Sequence, residues 1–181
     1  MANLPLRILL AGLLTAGRKK GLKDLFKLTA EAFAQAPPDL RGLSRGEILL
    51  NYGRFTRAEA ERSLAGGTAQ AVREKLRDRS RRLGRDIRSR LPIRSRADAA
   101  AALRSLYRML AIDLAVDARG DVTVRRCSLA AHYTPEVCLF MSAMDEGIVA
   151  GLSDGRLVFT RRLTEGADCC RARIDWDGKN E

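Results

Sequence analysis

Four thiols, one imidazole and one carboxylate with suitable spacing fall in the last third of this 181-residue chain: Cys127, Cys138, Cys169, Cys170, His132 and Asp145. Thiolates act as nucleophiles and bind soft metals, and His or Asp beside them can move protons or hold a cation. Thr134, Pro135 and Glu136 read as a helix start: Thr as N-cap, Pro at the first helical position, an acid in the first turn. Cys138 therefore falls in the first turn, where unpaired N–H groups and the helix dipole favour a thiolate. Asp145 shares its helix face but lies about 10 Å further along the axis, too far to be its direct base. His132, the only histidine, precedes the N-cap and would reach the same helix end. On the last strand, Cys170, Ala172 and Ile174 share one face, and Cys169, Arg171 and Arg173 the other. Cys170 is expected to face the core or a cleft, and Cys169 a more polar side. There is no Cys-x-x-Cys and no closed zinc spacing. On residue chemistry alone, a structural role as small buried hydrophobes stands ahead of a catalytic one.

The elements that must position these residues follow from periodicity and punctuation. Leu4–Ala16 and Leu22–Ala34 read as two short helices joined at Gly17–Gly21, with Pro37 and Pro38 ending the second. Ser44–Glu47 and Thr56–Glu59 both match the capping-box pattern, so a helix is expected to start at each, and Gly66 and Gly67 break the second. From Thr68 to Leu91, Val72, Leu76, Leu83, Ile87 and Leu91 make one narrow apolar stripe on a helix otherwise covered in Arg. Ser95–Asp98 starts another helix, expected to run to about Val116. The pattern then changes: a turn at Ala118–Asp121, a strand at Val122–Arg126 and the Cys138 helix to about Leu152. Strands at Arg156–Thr164 and Cys169–Asp175 follow, joined as a hairpin. The expected architecture is α+β. N-terminal helices pack on a small, mostly antiparallel sheet, in one domain over 1–181, with a helical part at 1–117 and a strand-helix-β-hairpin part at 118–176.

Composition narrows the function classes. Hydrophobic residues at 46% and charged residues at 30% describe a globular chain that can form a core without disulfides. The first 126 residues carry no cysteine, which reads as reduced thiols in the cytoplasm. The apolar run Ile8–Leu14 has its basic cluster, Arg18–Lys20, after it, the wrong order for a secretory signal. It is also too short to span a bilayer, so it reads as a buried or amphipathic helix. The formal charge of +11 is concentrated: Arg73–Arg96 holds eleven Lys and Arg against three acids. A basic helix can follow phosphates, but this segment has no aromatic residue to stack on bases, and a solvated face without a specific nucleic-acid partner is expected.

The stretch from Cys127 to Arg173 resembles the L-2-amino-thiazoline-4-carboxylic acid hydrolase family. The resemblance rests on Cys127, Cys138, Asp145, Gly166, Asp168, Cys170 and Arg173 and covers about the last fifty residues. Ser128 stands where that family has Pro, and Arg171-Ala172 where it has Asp-Phe. It implies hydrolysis of a C–N bond in a small cyclic amidine, opening a thiazoline ring to a carbamoyl-cysteine, with no cofactor. In that reading a Cys thiolate is the nucleophile (Cys138 first, Cys127 or Cys170 next, with His132 nearby). Asp145 partners the amidinium, and Arg173 or Arg126 takes the substrate carboxylate. The competing class is a non-catalytic sensor domain, similar to those of the vinyl-4-reductase type, in which the same cysteines would bind zinc or line a ligand pocket.

Overall fold

The computed structural model describes Pro5, Leu6 and residues 17–176. The expected helix over Leu4–Ala16 lies outside the described residues, apart from its first members. Helix α1 (Arg18–Ala32) buries Leu22, Leu25 and Phe26 and stops where Ala34 turns to φ 57°. Helix α2 (Arg45–Ala65) opens on the expected capping box: the Glu47 amide donates to Ser44 Oγ at 3.3 Å, and the Ser44 amide to Glu47 Oε2 at 2.7 Å.

The second expected start, at Thr56, is overturned. Thr56 is buried inside one continuous helix, and its hydroxyl donates to the Tyr52 carbonyl at 2.7 Å and bonds the Tyr133 hydroxyl at 2.6 Å. Nothing upstream stops the helix, so the short capping pattern is satisfied by the helix interior and by a tertiary partner. Gly66 and Gly67 end α2, with Gly67 at φ 69°.

Helix α3 (Ala69–Arg90) lies along α5 (Pro135–Ser153), burying Leu76, Ser80 and Gly84. Its arginines are less solvated than expected. Arg77 pairs with Glu146 of α5 at 2.7 Å, while Arg73 donates to the Leu139 and Phe140 carbonyls. Arg79 and Arg88 pair with Glu31 and Asp154, both at 2.6 Å.

Helix α4 (Arg96–Met109) starts at Ser95 as expected but ends seven residues early. Ala111 takes φ 54°, and strand β1 (Asp113–Val116) occupies what was read as the last helical turns. The β-branched Val116 suits a strand that pairs with a neighbour, and that neighbour lies outside any local window. The chain turns at Gly120, φ 89°, into β2 (Asp121–Arg126). Strand β3 (Arg156–Arg161) stops three residues short of expectation, a 3₁₀ turn covers Leu163–Glu165, and β4 (Cys170–Asp175) starts one residue late.

The fold is α+β. The four strands form one antiparallel sheet in the order β1-β2-β4-β3, and β3 and β4 make the expected hairpin. Helix α5 ties the parts together. Val137, Phe140 and Met144 near its start join a core with α1 and α2, while Val149 and Leu152 near its end join a second core with α4 and the sheet. Among the described residues no helix is long and apolar enough to cross a membrane.

Candidate functional site

The N-cap of α5 forms as the sequence predicts. Thr134 Oγ1 accepts from the Val137 amide at 3.2 Å, and the Thr134 carbonyl accepts from the Cys138 amide at 2.9 Å. Strand alternation also holds on β4: Ala172 and Ile174 are buried, and Arg171 and Arg173 exposed. Cys169 and Cys170 are both partly buried, so they do not differ as sharply as the alternation predicts. They differ in what they face, because Cys170 lines an internal cavity and Cys169 does not.

That cavity, about 130 Å³, lies where the two cores meet and is walled mostly by apolar side chains. Cys127, Cys138, Asp145 and Cys170 all line it, each from a different local element or a different turn of α5. Among the described residues Asp145 is the one carboxylate on the wall, and Tyr107 of α4 donates to its Oδ1 at 2.5 Å. Tyr52, Tyr133, Ser142 and Thr164 complete the polar lining with the thiols.

Burial sets the electrostatics. It pushes Asp145 up from 3.8 to about 6, opposed by the Tyr107 hydroxyl and by the cationic field of Arg162, and reinforced by the nearby Glu146 charge. Burial likewise raises Cys127 to about 11. Cys138 and Cys170 also stand above the ordinary thiol value, chiefly through burial and further through the Asp145 charge. The expected lowering of the Cys138 pKa at a helix N-terminus is therefore overturned. The N–H groups near Cys138 are already occupied by Thr134, and its sulfur faces an apolar cavity, so desolvation outweighs the dipole. The Thr164 hydroxyl and, to a smaller extent, the Arg162 charge oppose this rise.

Three sequence-predicted residues are not brought to the cavity. The Arg126 side chain is 85% exposed, 3.9 Å from Asp113. Arg173 is 65% exposed and pairs with Asp175 at 3.3 Å on the open face of the sheet. The alternation that turns Cys170 inward already turns Arg173 outward. His132 packs on α2 at Gly53, where a Cβ would sit 2.8 Å from the imidazole Cδ2. Sequence reasoning missed Tyr107, whose hydroxyl faces Asp145, and Arg162, which sits behind the cavity wall at Phe159. Tyr107 lies on α4, and no local pattern reports its partner 38 residues away. Among the described residues, no three His, Cys, Asp or Glu side chains are grouped to hold a metal ion.

One consequence is open to direct measurement. Cys127 should alkylate far more slowly than a free thiol at neutral pH and accelerate steadily as the pH approaches about 11. Reaction at the rate of a free thiol near neutrality would contradict the burial described for it.

Compared with known proteins, the chain matches no family model, no curated protein and no solved structure.

Proposed function

We propose that the cavity binds a small cyclic amidine and that the protein hydrolyses its C–N bond, the activity implied by the resemblance to the amino-thiazoline carboxylate hydrolases. The observation that carries this reading is the meeting of Cys127, Cys138, Cys170 and Asp145 on one cavity of about 130 Å³. A single carboxylate in apolar surroundings favours a compact cation, and a planar amidinium suits its two oxygens.

Burial holds the thiols protonated at neutral pH. A thiolate becomes affordable when the amidinium brings its positive charge, and the thiol proton then leaves to water. The Cys138 sulfur adds to the amidine carbon. The ring C–N bond breaks as the ring nitrogen takes a proton, and water then displaces the sulfur to leave a carbonyl. Overall one water is consumed and the ring opens. Asp145 is the partner of the amidinium, and Tyr107 is a positioning residue that holds the carboxylate.

The raised thiols also favour a second reading, a sensor that binds the same cation without turnover. Cys138→Ser separates the two. Turnover of 2-amino-2-thiazoline-4-carboxylate, followed by product amine, should fall to background in this variant with the near-UV circular dichroism unchanged. Full turnover in Cys138→Ser would move the nucleophile to Cys127 or Cys170. Binding without turnover in the unaltered protein would favour the sensor, as would stoichiometric zinc in the purified protein.

A further inference from the structure

Three arginines converge on a second cleft, where the ends of α3 and α5 meet the start of α4. Arg88 comes from the last turn of α3, Arg94 from the link that follows it, and Arg96 from the first turn of α4. Leu152, Ser153 and the Trp176 indole close the other side. At about 20 Å³ the cleft is far smaller than the thiol cavity, and it shares no lining residue with it. Among the described residues no carboxylate lines it. Of the three arginines, Arg88 alone forms an ion pair among the described residues, with Asp154 at 2.6 Å. Arg96 Nε is buried and makes no hydrogen bond. Asp98, two residues further along α4, accepts from the Arg94 amide at 3.1 Å and stays off the cleft wall. Guanidiniums without a counter-charge in one small recess repel each other and concentrate anions there.

We propose that this cleft is a phosphate site, separate from the thiol cavity, which takes inorganic phosphate or the phosphate group of a monoester. The charge balance favours phosphate over a carboxylate. Three guanidiniums, less the one neutralised by Asp154, leave two positive charges. A phosphate monoester carries about −1.5 to −2 near neutrality, whereas a carboxylate would leave one guanidinium uncompensated. The guanidinium fork presents paired N–H donors to phosphate oxygens, and arginines arriving from three segments can surround a tetrahedral ion. A phosphate oxygen supplies the acceptor that Arg96 Nε lacks. Helix α4 opens at Ser95 on the same cleft, and its positive end adds to the field of the three arginines. The cleft is sized for the anion, so the organic part of an ester lies in solvent.

Trp176 is the only tryptophan of the chain and lines the cleft, so its fluorescence reports occupation. Sodium phosphate titrated into the full chain at neutral pH and constant ionic strength should give a saturable change in emission and raise the unfolding temperature. Sodium acetate should bind about tenfold more weakly, or worse, for the loss of one charge contact. Arg96→Gln should weaken phosphate about ten- to a hundredfold, as expected for lost hydrogen bonds between charged groups. Arg94→Gln, on an exposed link, should do the same, and it carries the test if Arg96→Gln does not fold. Arg125→Gln, an exposed arginine of β2 outside the cleft, should leave phosphate affinity unchanged. Glycerol 3-phosphate separates the two sources of the group: tighter binding than inorganic phosphate assigns the site to an ester, and equal or weaker binding assigns it to the free ion. A response that does not saturate, or that sodium chloride reproduces at the same ionic strength, would overturn the proposal. Full phosphate affinity in both cleft variants would overturn it too. So would an equal loss in Arg125→Gln, which would mean that net charge alone attracts the ion.

Discussion

Asp145→Asn is expected to stabilise the empty protein at neutral pH and to abolish its binding of a cationic amidine. The carboxyl titrates near 3.8 in an unfolded chain and at about 6 in the folded one. Between those values the native state holds a proton that the unfolded state has lost, so stability declines as pH rises through this window and levels off above about 6. The ionised carboxylate thus costs the neutral-pH fold on the order of 3 kcal/mol.

Asparagine removes that cost and still accepts from the Tyr107 hydroxyl, which lies 2.5 Å from Asp145 Oδ1 in the parent. Thermal unfolding of the variant should occur several degrees higher at neutral pH, with the gap closing in acid. Binding should move the other way. In the parent, amidine affinity tightens as pH rises through about 6 and then holds. In the variant it falls by a hundredfold or more, the order expected when one partner of a buried ion pair is removed. Calorimetry across pH reads both limbs. Loss of stability at neutral pH, or retained affinity for the cation, would show that Asp145 is not an unpaired charge held ready for a ligand.

Substitution at Gly151 should have the largest effect on folding. Helices α3 and α5 touch backbone to backbone along Ser80, Gly84, Gly147 and Gly151. A Cβ on Gly151 would collide with the Arg81 carbonyl and would lie 2.8 Å from Gly84 Cα and 2.9 Å from the Arg85 amide nitrogen. All three obstacles are main-chain atoms, so no rotamer relieves them. Helix propensity alone would make Gly151→Ala stabilising by roughly 1 kcal/mol. The close approach reverses that sign, to a destabilisation of about 3 kcal/mol, and Gly151→Leu should not fold. Urea unfolding measures it, and an alanine variant as stable as the parent would mean that the two helices stand further apart. Because α5 also carries Cys138 and Asp145, a partly folded Gly151→Ala protein should bind amidine more weakly without any change in the residues that line the cavity.

Where the information was local, the residue pattern was enough to read. Ser44 with Glu47, and Thr134 with Pro135, set two helix starts because a cap is completed within four residues. The alternation of Ala172 and Ile174 with Arg171 and Arg173 oriented β4, since a strand's period needs no partner to be seen. The concentration of thiols after residue 126 pointed to the region of the cavity, and Cys127, Cys138, Asp145 and Cys170 do meet there.

Everything that depended on a distant partner was decided by tertiary structure. Thr56 looks like a helix start until Tyr52 and Tyr133 take its hydroxyl. Asp113–Val116 continues a helical stripe on paper and becomes a strand because β2 lies alongside. The Cys138 thiol would be acidified by its helix position, yet the walls that close around it raise its pKa, because desolvation is a property of the assembled cavity. Arg162 sits among many arginines in the chain. Only packing sets its guanidinium over the Phe159 ring, 5.0 Å from the centroid.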